Sequence, residues 1–473
     1  MAMAARRAAP SLGSVEERAE RGRQARTAVP RSAHGEWQPA GDRADPIEIL
    51  ERQAETRVPE LVPIRYGRMM VSPATFYRGA AAVMADDLAA TPMTGLDTQL
   101  CGDAHMLNFG GFASPERILV FDLNDFDETL RGSWELDLKR LVASVEINAR
   151  ERGIEAPERR KMVRGAVREY RAAMRSFAKM GNLATWYSRV DEETILAALR
   201  AQQAHQQLRT VRKAGTRARR KDSTRAFEKL TQTTDGVPRI KSDPPLIVPV
   251  HELFPDAEAD QFETLMRELL EQYTSSLEGD RRRLLERFSY ADLARKVVGV
   301  GSVGTRCWIL LLIGRDHGDP LFLQVKEAQP SVLSPISGES PFPNQGQRVV
   351  EGQRMMQASS DIFLGWIRTA DTPDEVQRDF YLRQLWDWKV SIEPGEMEPE
   401  GMAIYARMCA WTLARAHARS GDAIAIAAYA GSGEQLDRAM AKFAAAYADQ
   451  NEADHRELLK AVRKKRLKAT KGV

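Results

Sequence analysis

Two neighbouring stretches carry the polar residues around which we expect the chain to be organised, Cys101-Gly-Asp-Ala-His-Met-Leu-Asn108 and Ile118-Leu-Val-Phe-Asp-Leu-Asn-Asp-Phe-Asp127. The first stretch places Asp103 and Asn108 five residues apart on a glycine-containing loop. The second reads as a short apolar strand that ends in three acids, Asp122, Asp125 and Asp127. Phosphoryl transfer uses such groups, because an Asp accepts the proton of the acceptor hydroxyl while an Asn and an Asp hold magnesium on the phosphates. The two stretches therefore predict a phosphoryl-transfer centre.

These polar residues also have structural explanations. Asp103 and Asn108 are residue types that stabilise turns, because their short side chains bond to nearby backbone groups. The three acids are harder to explain in that way, since carboxylates at one strand end repel each other unless a cation lies between them. We therefore expect a metal-binding role for at least one of Asp122, Asp125 and Asp127.

A glycine-rich segment, Gly299-Val-Gly-Ser-Val-Gly304, occurs much later in the chain. Its GxGxxG pattern is a weak signal by itself. A dinucleotide-binding motif needs a helix directly after the glycines, whereas Cys307 to Ile313 is β-branched, aromatic and leucine-rich, which is typical of a strand. Two strands joined by a glycine-rich turn form the hairpin that covers the phosphates in protein kinases. We expect phosphate contacts from Gly299, Gly301, Ser302 and Gly304.

A lysine and a glutamate complete this second constellation. Lys326 lies in a predicted third strand, which is where kinases keep the lysine that contacts the phosphates. A dinucleotide-binding fold would place an acid about 20 residues past the glycines, so a lysine here favours the kinase arrangement. Glu351 lies on the first turns of a predicted helix and is expected to pair with Lys326, although a solvated surface acid is the alternative.

Arginine and tyrosine residues cluster shortly before the first acidic stretch. Guanidinium forks suit phosphate and carboxylate groups, so this cluster is a candidate anion-binding site. The alternative is that the guanidinium groups pair with nearby acids and lock the loop. The members of the cluster are Arg65, Arg68, Tyr77 and Arg78.

The composition is typical of a cytoplasmic protein that is neither a zinc protein nor a membrane protein. The 473 residues include 69 basic and 66 acidic residues, a balance that argues against an overall nucleic-acid binder. Three scattered cysteines and seven scattered histidines form neither a disulfide framework nor a zinc pattern. The longest apolar run, Trp308 to Ile313, is too short to cross a membrane. The basic run Arg212 to Lys221 has no aromatic residues for base stacking.

Four regions are expected along the chain. Residues 1–45 are rich in Arg, Ala, Ser and Pro, which predicts a disordered basic leader. Residues 46–290 should form a helical region that carries the catalytic loop and the metal-binding acids. Residues 291–395 should form a nucleotide-binding region, and residues 396–473 should be helices that pack on the larger region.

These segments carry a resemblance to a bacterial family. The stretches 57–79, 101–127 and 297–326, with Tyr447-Ala-Asp-Gln450, are similar to the family catalogued as domain of unknown function 2252. The resemblance covers most of the chain past residue 45. The family name implies no activity, so this resemblance leaves the function open.

A more distant resemblance is to the aminoglycoside phosphotransferases and choline kinases, members of the kinase-like superfamily. Their catalytic loop is similar to Gly102-Asp-Ala-His-Met-Leu-Asn108, and Asp137-Leu138 matches a pair that opens a helix further on. This resemblance implies that Asp103 is the catalytic base and that magnesium is held by Asn108 and Asp125, with Asp122 and Asp127 as alternatives to Asp125. It also implies that Lys326 holds phosphates and is oriented by Glu351. Cys101 stands where that superfamily usually has a histidine.

The order of the parts departs from that superfamily. In kinases the glycine-rich loop and the lysine precede the catalytic loop, whereas here they follow it by about two hundred residues. The resemblance therefore implies a circularly permuted kinase-like fold of the α+β class, which is feasible when the old termini lie close together. We expect a helix-rich larger lobe and a small antiparallel-sheet lobe, with the helix ending in Ala416 to Asp422 beside the catalytic loop.

The function expected from these features is phosphotransfer from ATP, with Mg²⁺, to a hydroxyl of a small molecule or, with less support, of a protein. Two alternatives use the same fold. One is nucleotidyl transfer, in which AMP is passed to the acceptor, and the other is a non-catalytic nucleotide-binding module. A nucleic-acid binder is a third alternative, and it would show a steep salt dependence.

Overall fold

The computed structural model describes residues 13–201, 205–234, 236–254, 256–369, 376–385 and 387–473. The fold is mixed α+β, as the sequence predicts. Its helices are α1 (Val15–Ala28), α2 (Pro46–Ala54), α3 (Val62–Met69), α4 (Pro73–Gly79), α5 (Ala81–Ala89), α6 (Glu135–Glu151), α7 (Ala156–Phe177), α8 (Asn182–Tyr187), α9 (Glu192–Ala201), α10 (His205–Arg219), α11 (Ser223–Leu230), α12 (Val250–Leu253), α13 (Asp256–Thr274), α14 (Gly279–Leu285), α15 (Ser334–Ser337), α16 (Gln345–Met356), α17 (Pro399–Ser420), α18 (Ala423–Ala430) and α19 (Gln435–Arg463). Its strands are β1 (Asp97–Leu100), β2 (Phe109–Ala113), β3 (Leu119–Leu123), β4 (Leu130–Ser133), β5 (Val190–Asp191), β6 (Thr231–Thr234), β7 (Val237–Ile240), β8 (Ile247–Pro249), β9 (Ser289–Lys296), β10 (Cys307–Ile313), β11 (Pro320–Ala328), β12 (Gly365–Thr369), β13 (Arg378–Gln384) and β14 (Val390–Ser391).

The larger hydrophobic core lies among helices α6, α7, α17, α18 and α19. Helix α7 forms because its apolar residues recur at spacings of three and four and so make one stripe. Each member of this stripe is buried: Met162, Val163, Val167, Tyr170, Met174 and Phe177. Helix α6 is buried on nearly every side and so brings charged side chains into the core. None of the described helices has the length and apolar character needed to cross a bilayer.

A six-stranded antiparallel sheet has the strand order β12-β13-β11-β10-β9-β8. Because successive side chains of a strand point to opposite faces, Leu321, Leu323 and Val325 of β11 pack against helices α12 to α14. Phe322 points to the other face and packs with residues of α11. Lys326 shares the face of Phe322, and its register neighbours are Cys307 and Tyr381.

A smaller sheet, β14-β2-β3-β5, positions the first acidic stretch. Strands β2 and β3 are antiparallel, with Phe109 opposite Leu123. This register brings the residues just before β2 next to those just after β3, and the backbone N–H of Asn124 donates to the carbonyl of Asn108 at 2.9 Å. The hairpin therefore joins the predicted catalytic loop to the predicted metal-binding acids.

The segment expected to be a disordered leader is ordered from residue 13 onward, while residues 1–12 lie outside the described residues. Helix α1 begins with a capping box between Ser14 and Glu17. It docks on α18 without large apolar side chains, because Gly22 lets the backbones approach: a Cβ there would lie 2.1 Å from the carbonyl oxygen of Ala425. Arg18 also pairs with Asp422 at 2.9 Å. A low content of large apolar residues therefore does not reveal this polar docking.

We predict that Asp437→Ala lowers the free energy of unfolding by about 3–5 kcal/mol, the usual cost of removing one partner of a buried ion pair. The Asp437 carboxylate joins α19 to α7 by accepting two hydrogen bonds from Arg171, at 2.6 and 2.7 Å. Both side chains are at most 3% exposed. Urea unfolding measures the loss.

The matched control is Asp449→Ala, because Asp449 also pairs with an arginine but its side chain is 73% exposed. Exposed ion pairs contribute about 0–1 kcal/mol, so the control should unfold close to the wild-type urea concentration. Equal losses in the two variants would contradict the importance of the buried pair.

Candidate active site

The two constellations line one cavity of about 500 Å³. Residues 103–108 contribute to one wall, and the glycine-rich segment with strand β11 contributes to the other. The predicted residues in its lining are Asp103, Asn108, Asp125, Gly299, Gly301, Ser302 and Lys326. Folding therefore brings together segments that are about two hundred residues apart in sequence. The volume of the cavity between them is typical of small-molecule sites.

Lys326 links the two walls of the cavity. Its side chain is 2% exposed, and its Nζ lies 3.4 Å from a carboxylate oxygen of Asp125 and also contacts Asp127. Burial by itself would lower the pKa of Lys326, but the carboxylates of Asp125 and Asp127 reverse this effect and raise it well above its usual value. Lys326 is therefore an ammonium cation held between two carboxylates.

Asp127 is also contacted from the glycine-rich segment and from strand β13. The hydroxyl of Tyr381 donates to Asp127 Oδ1 at 2.7 Å, and the hydroxyl of Ser302 donates to Asp127 Oδ2 at 3.3 Å. Ser302 and Asp127, both predicted from sequence but for different halves of the site, are thus in direct contact. The carboxylate of Asp127 is fixed by hydrogen bonds at both of its oxygens.

Asp125 stays ionised at neutral pH. Burial alone would raise the pKa of Asp125, but the charges of Lys326 and Arg383 outweigh it and hold that pKa well below its usual range. Among the described residues no group of three or more His, Cys, Asp or Glu could hold a metal ion. Magnesium needs only one or two carboxylates when phosphate oxygens and water complete its octahedral shell. Asp125 and Asp127 fit that requirement.

The alternative ligand Asp122 is excluded from the cavity by its own partners. It is 1% exposed and forms an ion pair with Arg415, which is equally buried. Its oxygens also accept the N–H groups of Leu123 and Ala358, both at 2.9 Å. Asp122 therefore fixes helix α17 against strand β3.

Asp103 is oriented by a buried arginine. Arg140 of helix α6 donates from Nε to Asp103 Oδ1 at 2.8 Å. Arg140 is itself held by Tyr77, whose ring lies 3.7 Å from the guanidinium and whose carbonyl accepts a hydrogen bond at 2.7 Å. The other oxygen of Asp103 lies 3.5 Å from Nε2 of His105. Burial lowers the pKa of His105 to about 4, so this histidine is neutral at pH 7.

Asn108 has a structural role in this arrangement. Its Oδ1 accepts the N–H groups of Asp125 at 2.7 Å and Asn124 at 3.3 Å, and its Nδ2 donates to the carbonyls of Asp103 and Asp125. Both lone pairs of the amide oxygen are therefore occupied. Asn108 positions Asp125, and a magnesium-binding role would require Oδ1 to release at least one of these N–H groups.

Glu351 is not brought to Lys326, contrary to the sequence expectation. Its carboxylate lies 3.4 Å from Nη1 of Arg354 on the same helix, α16. The carboxylate partners of Lys326 come instead from the first constellation. Helix α16 contributes Arg348, which is 2% exposed and donates to the carbonyls of Asp127 and Thr129. The helix therefore supports the acidic segment rather than the lysine.

The glycine-rich segment is held by arginines that donate to its carbonyls. Arg68 donates to the carbonyl of Gly299, and Arg57 donates to that of Val303. Gly299 and Gly304 have positive φ values of 65° and 90°, which favour glycine. A Cβ on Gly301 would lie 3.0 Å from the carbonyl oxygen of Arg78, so this glycine allows the segment to approach helix α4.

Several residues that support the site were not predicted. Asp137, noted in sequence only as a pair with Leu138, accepts the N–H groups of Cys101 and Gly102 at 2.7 and 2.9 Å. His417 of helix α17 lies 3.2 Å from the same carboxylate, so this helix packs beside the loop of residues 101–108. The sequence gives little indication that Arg140, Arg348 and Arg415 are buried, because a charged residue on a helix usually faces solvent.

A match to a family model covers most of the chain and assigns the family. A family model described as an uncharacterized protein conserved in bacteria (DUF2252) matches residues 57–461. The chain belongs to the DUF2252 family. The matched range includes every residue placed in the cavity above, so the site lies inside the DUF2252 region. No curated protein and no solved structure matches the chain.

We predict that Gly102→Ala disrupts the loop formed by residues 101–108. Gly102 has a φ of 82°, and a Cβ there would lie 2.1 Å from the backbone carbonyl oxygen of Glu128, which cannot move away cheaply. The variant should lose more stability than the roughly 1–2 kcal/mol expected for left-handed strain alone. Urea unfolding measures this loss.

Gly95→Ala is the control that separates the overlap from the backbone strain. Gly95 has a similar φ of 66°, but a Cβ added there would meet no atom within 4 Å. It should show only the cost of the strain. A loss in Gly102→Ala no larger than in Gly95→Ala would contradict the tight packing of the loop on Glu128.

Proposed function

We propose that the protein transfers a phosphoryl group from ATP, with Mg²⁺, to a hydroxyl group, with a small molecule favoured over a protein as the acceptor. The observation that carries this proposal is the contact of Lys326 with Asp125 and Asp127 at the wall of one cavity. The lysine lies on the strand that follows the glycine-rich hairpin. The two acids follow the loop that resembles the catalytic loop of kinases. Kinases use the same parts.

The proposed fold is a circularly permuted kinase-like fold with two lobes. Support comes from strands β9, β10 and β11, which are adjacent in one antiparallel sheet, with the glycine-rich segment between the first two and Lys326 on the third. Helix α16 follows β11 and packs on β12 and β13. The helical core with Asp103 would form the second lobe. The order of the two along the chain is reversed relative to kinases.

Each side chain has a defined task in the proposed reaction. The acceptor oxygen bonds to the γ-phosphorus while the bond from that phosphorus to the β,γ-bridging oxygen breaks. ADP leaves with the electron pair, and Asp103, oriented by Arg140, takes the hydroxyl proton. Asp125 and Asp127 would hold the magnesium, whose charge offsets that of the phosphates. Lys326 would contact the phosphates, with the backbone N–H groups of residues 299–304 around them.

We predict that Mg-ATP raises the thermal unfolding midpoint of the wild-type protein, because a ligand that binds only the native state stabilises it by mass action, about 2.7 kcal/mol at 100 times Kd. Lys326→Ala and Asp125→Asn should both lose this rise, since the lysine and the acid belong to one site. The measurement is a thermal scan with Mg-ATP, with ATP and a chelator, and without ligand.

Glu351→Gln is the matched control, because Glu351 pairs with Arg354 and not with Lys326. This variant should keep the full response to Mg-ATP. A flat response of the wild type, or an unchanged response in both Lys326→Ala and Asp125→Asn, would contradict the proposed site. Intact-mass analysis of reaction products separates the two transfer chemistries, since phosphoryl transfer leaves ADP and nucleotidyl transfer leaves pyrophosphate.

A further inference from the structure

Arg78 stands apart from the other arginines around the cavity. Arg57, Arg65 and Arg68 donate to backbone carbonyls, and Arg140 pairs with Asp103. Arg78 lines the cavity, and its guanidinium makes no hydrogen bond or ion pair with any residue that the structure describes. It is the member of the sequence-predicted cluster that remains available to a ligand.

The position of Arg78 is close to both halves of the proposed site. Its backbone carbonyl lies next to Gly301, so the residue is under the glycine-rich segment. Its charge also acts on His105, the neighbour of Asp103. Burial lowers the pKa of Arg78, while the carboxylates of Glu393 and Asp103 attract its charge without contacting it. A partly buried cation without a contacting partner is costly, and an anionic ligand would offset this cost.

Helix α4 fixes the backbone of Arg78. The helix begins with Pro73 after a capping box between Ser72 and Thr75. The preceding residue, Tyr77, is fully buried and its hydroxyl donates to the carbonyl of Arg140 at 2.7 Å. The guanidinium therefore projects from a fixed backbone, and the same Tyr77 and Arg140 orient Asp103.

We propose that Arg78 contacts the phosphoryl group while it passes from ATP to the acceptor. This inference rests on the proposed function. In that step, negative charge lies on the three equatorial oxygens of the transferring group, between Asp103 and the phosphates under the glycine-rich segment. A guanidinium at this place stabilises the transition state, and arginines in such positions raise kcat by about 10³–10⁵ in other phosphoryl-transfer proteins. Arg78 is therefore assigned as a catalytic residue.

The test compares Mg-ADP alone with Mg-ADP plus aluminium fluoride, which mimics the transferring phosphoryl group. In thermal scans the wild type should show a rise with Mg-ADP and a further rise with aluminium fluoride. Arg78→Gln should keep the first rise and lose the second, and Arg78→Lys should keep part of the second. ATP turnover by Arg78→Gln should fall on the order of 10³-fold or more with little change in KM.

Arg160→Gln is the control, because Arg160 lies on α7, outside the cavity lining. It should behave as the wild type. A full second rise in Arg78→Gln, or equal turnover, overturns the assignment, and so does an equal loss of both rises, which would make Arg78 a ground-state nucleotide contact. A wild type that fails to respond to Mg-ADP overturns the proposed function itself, so the two failures are distinguishable.

Discussion

The ammonium of Lys326 between the carboxylates of Asp125 and Asp127 is the interaction on which the site depends. Two neighbouring carboxylates repel each other, and a buried ammonium is costly alone, so each group requires the others. The acids lie just after strand β3 and the lysine lies on β11, in a different sheet. This charge cluster therefore fixes the distance between the two sheets and leaves the cavity between them.

A second layer of buried polar contacts holds this cluster in place. Asp137 fixes the start of the loop of residues 101–108, Arg140 fixes Asp103, and Arg348 fixes the segment after Asp127. All three are almost fully buried. Unsatisfied buried polar groups cost about 1–3 kcal/mol each, and more when charged. Loss of any one partner should therefore displace the site as well as destabilise the fold, which makes the arrangement rigid before a ligand binds.

Local pattern predicted much of this structure, whereas pairing between distant segments could not be read from sequence. The stripe of α7 and the strand around Lys326 follow from periodicity and residue type, which are local properties. The partner of Lys326 depends on packing across 201 residues, so the nearer Glu351 was a wrong choice. Arg140 was missed because a helix arginine usually faces solvent. Helix α1 was missed because Gly22 and Arg18, rather than large apolar residues, dock it.

The central claim is that nucleotide and magnesium bind together in one site. The position of a bound metal ion tests this claim most directly. A crystal of the protein grown with Mn²⁺ and a non-hydrolysable ATP analogue would locate that metal by its anomalous scattering. The account predicts a peak about 2.1 Å from carboxylate oxygens of Asp125 or Asp127, with Nζ of Lys326 on phosphate oxygens under residues 299–304. A metal bound elsewhere, or a nucleotide away from the glycine-rich segment, would contradict it.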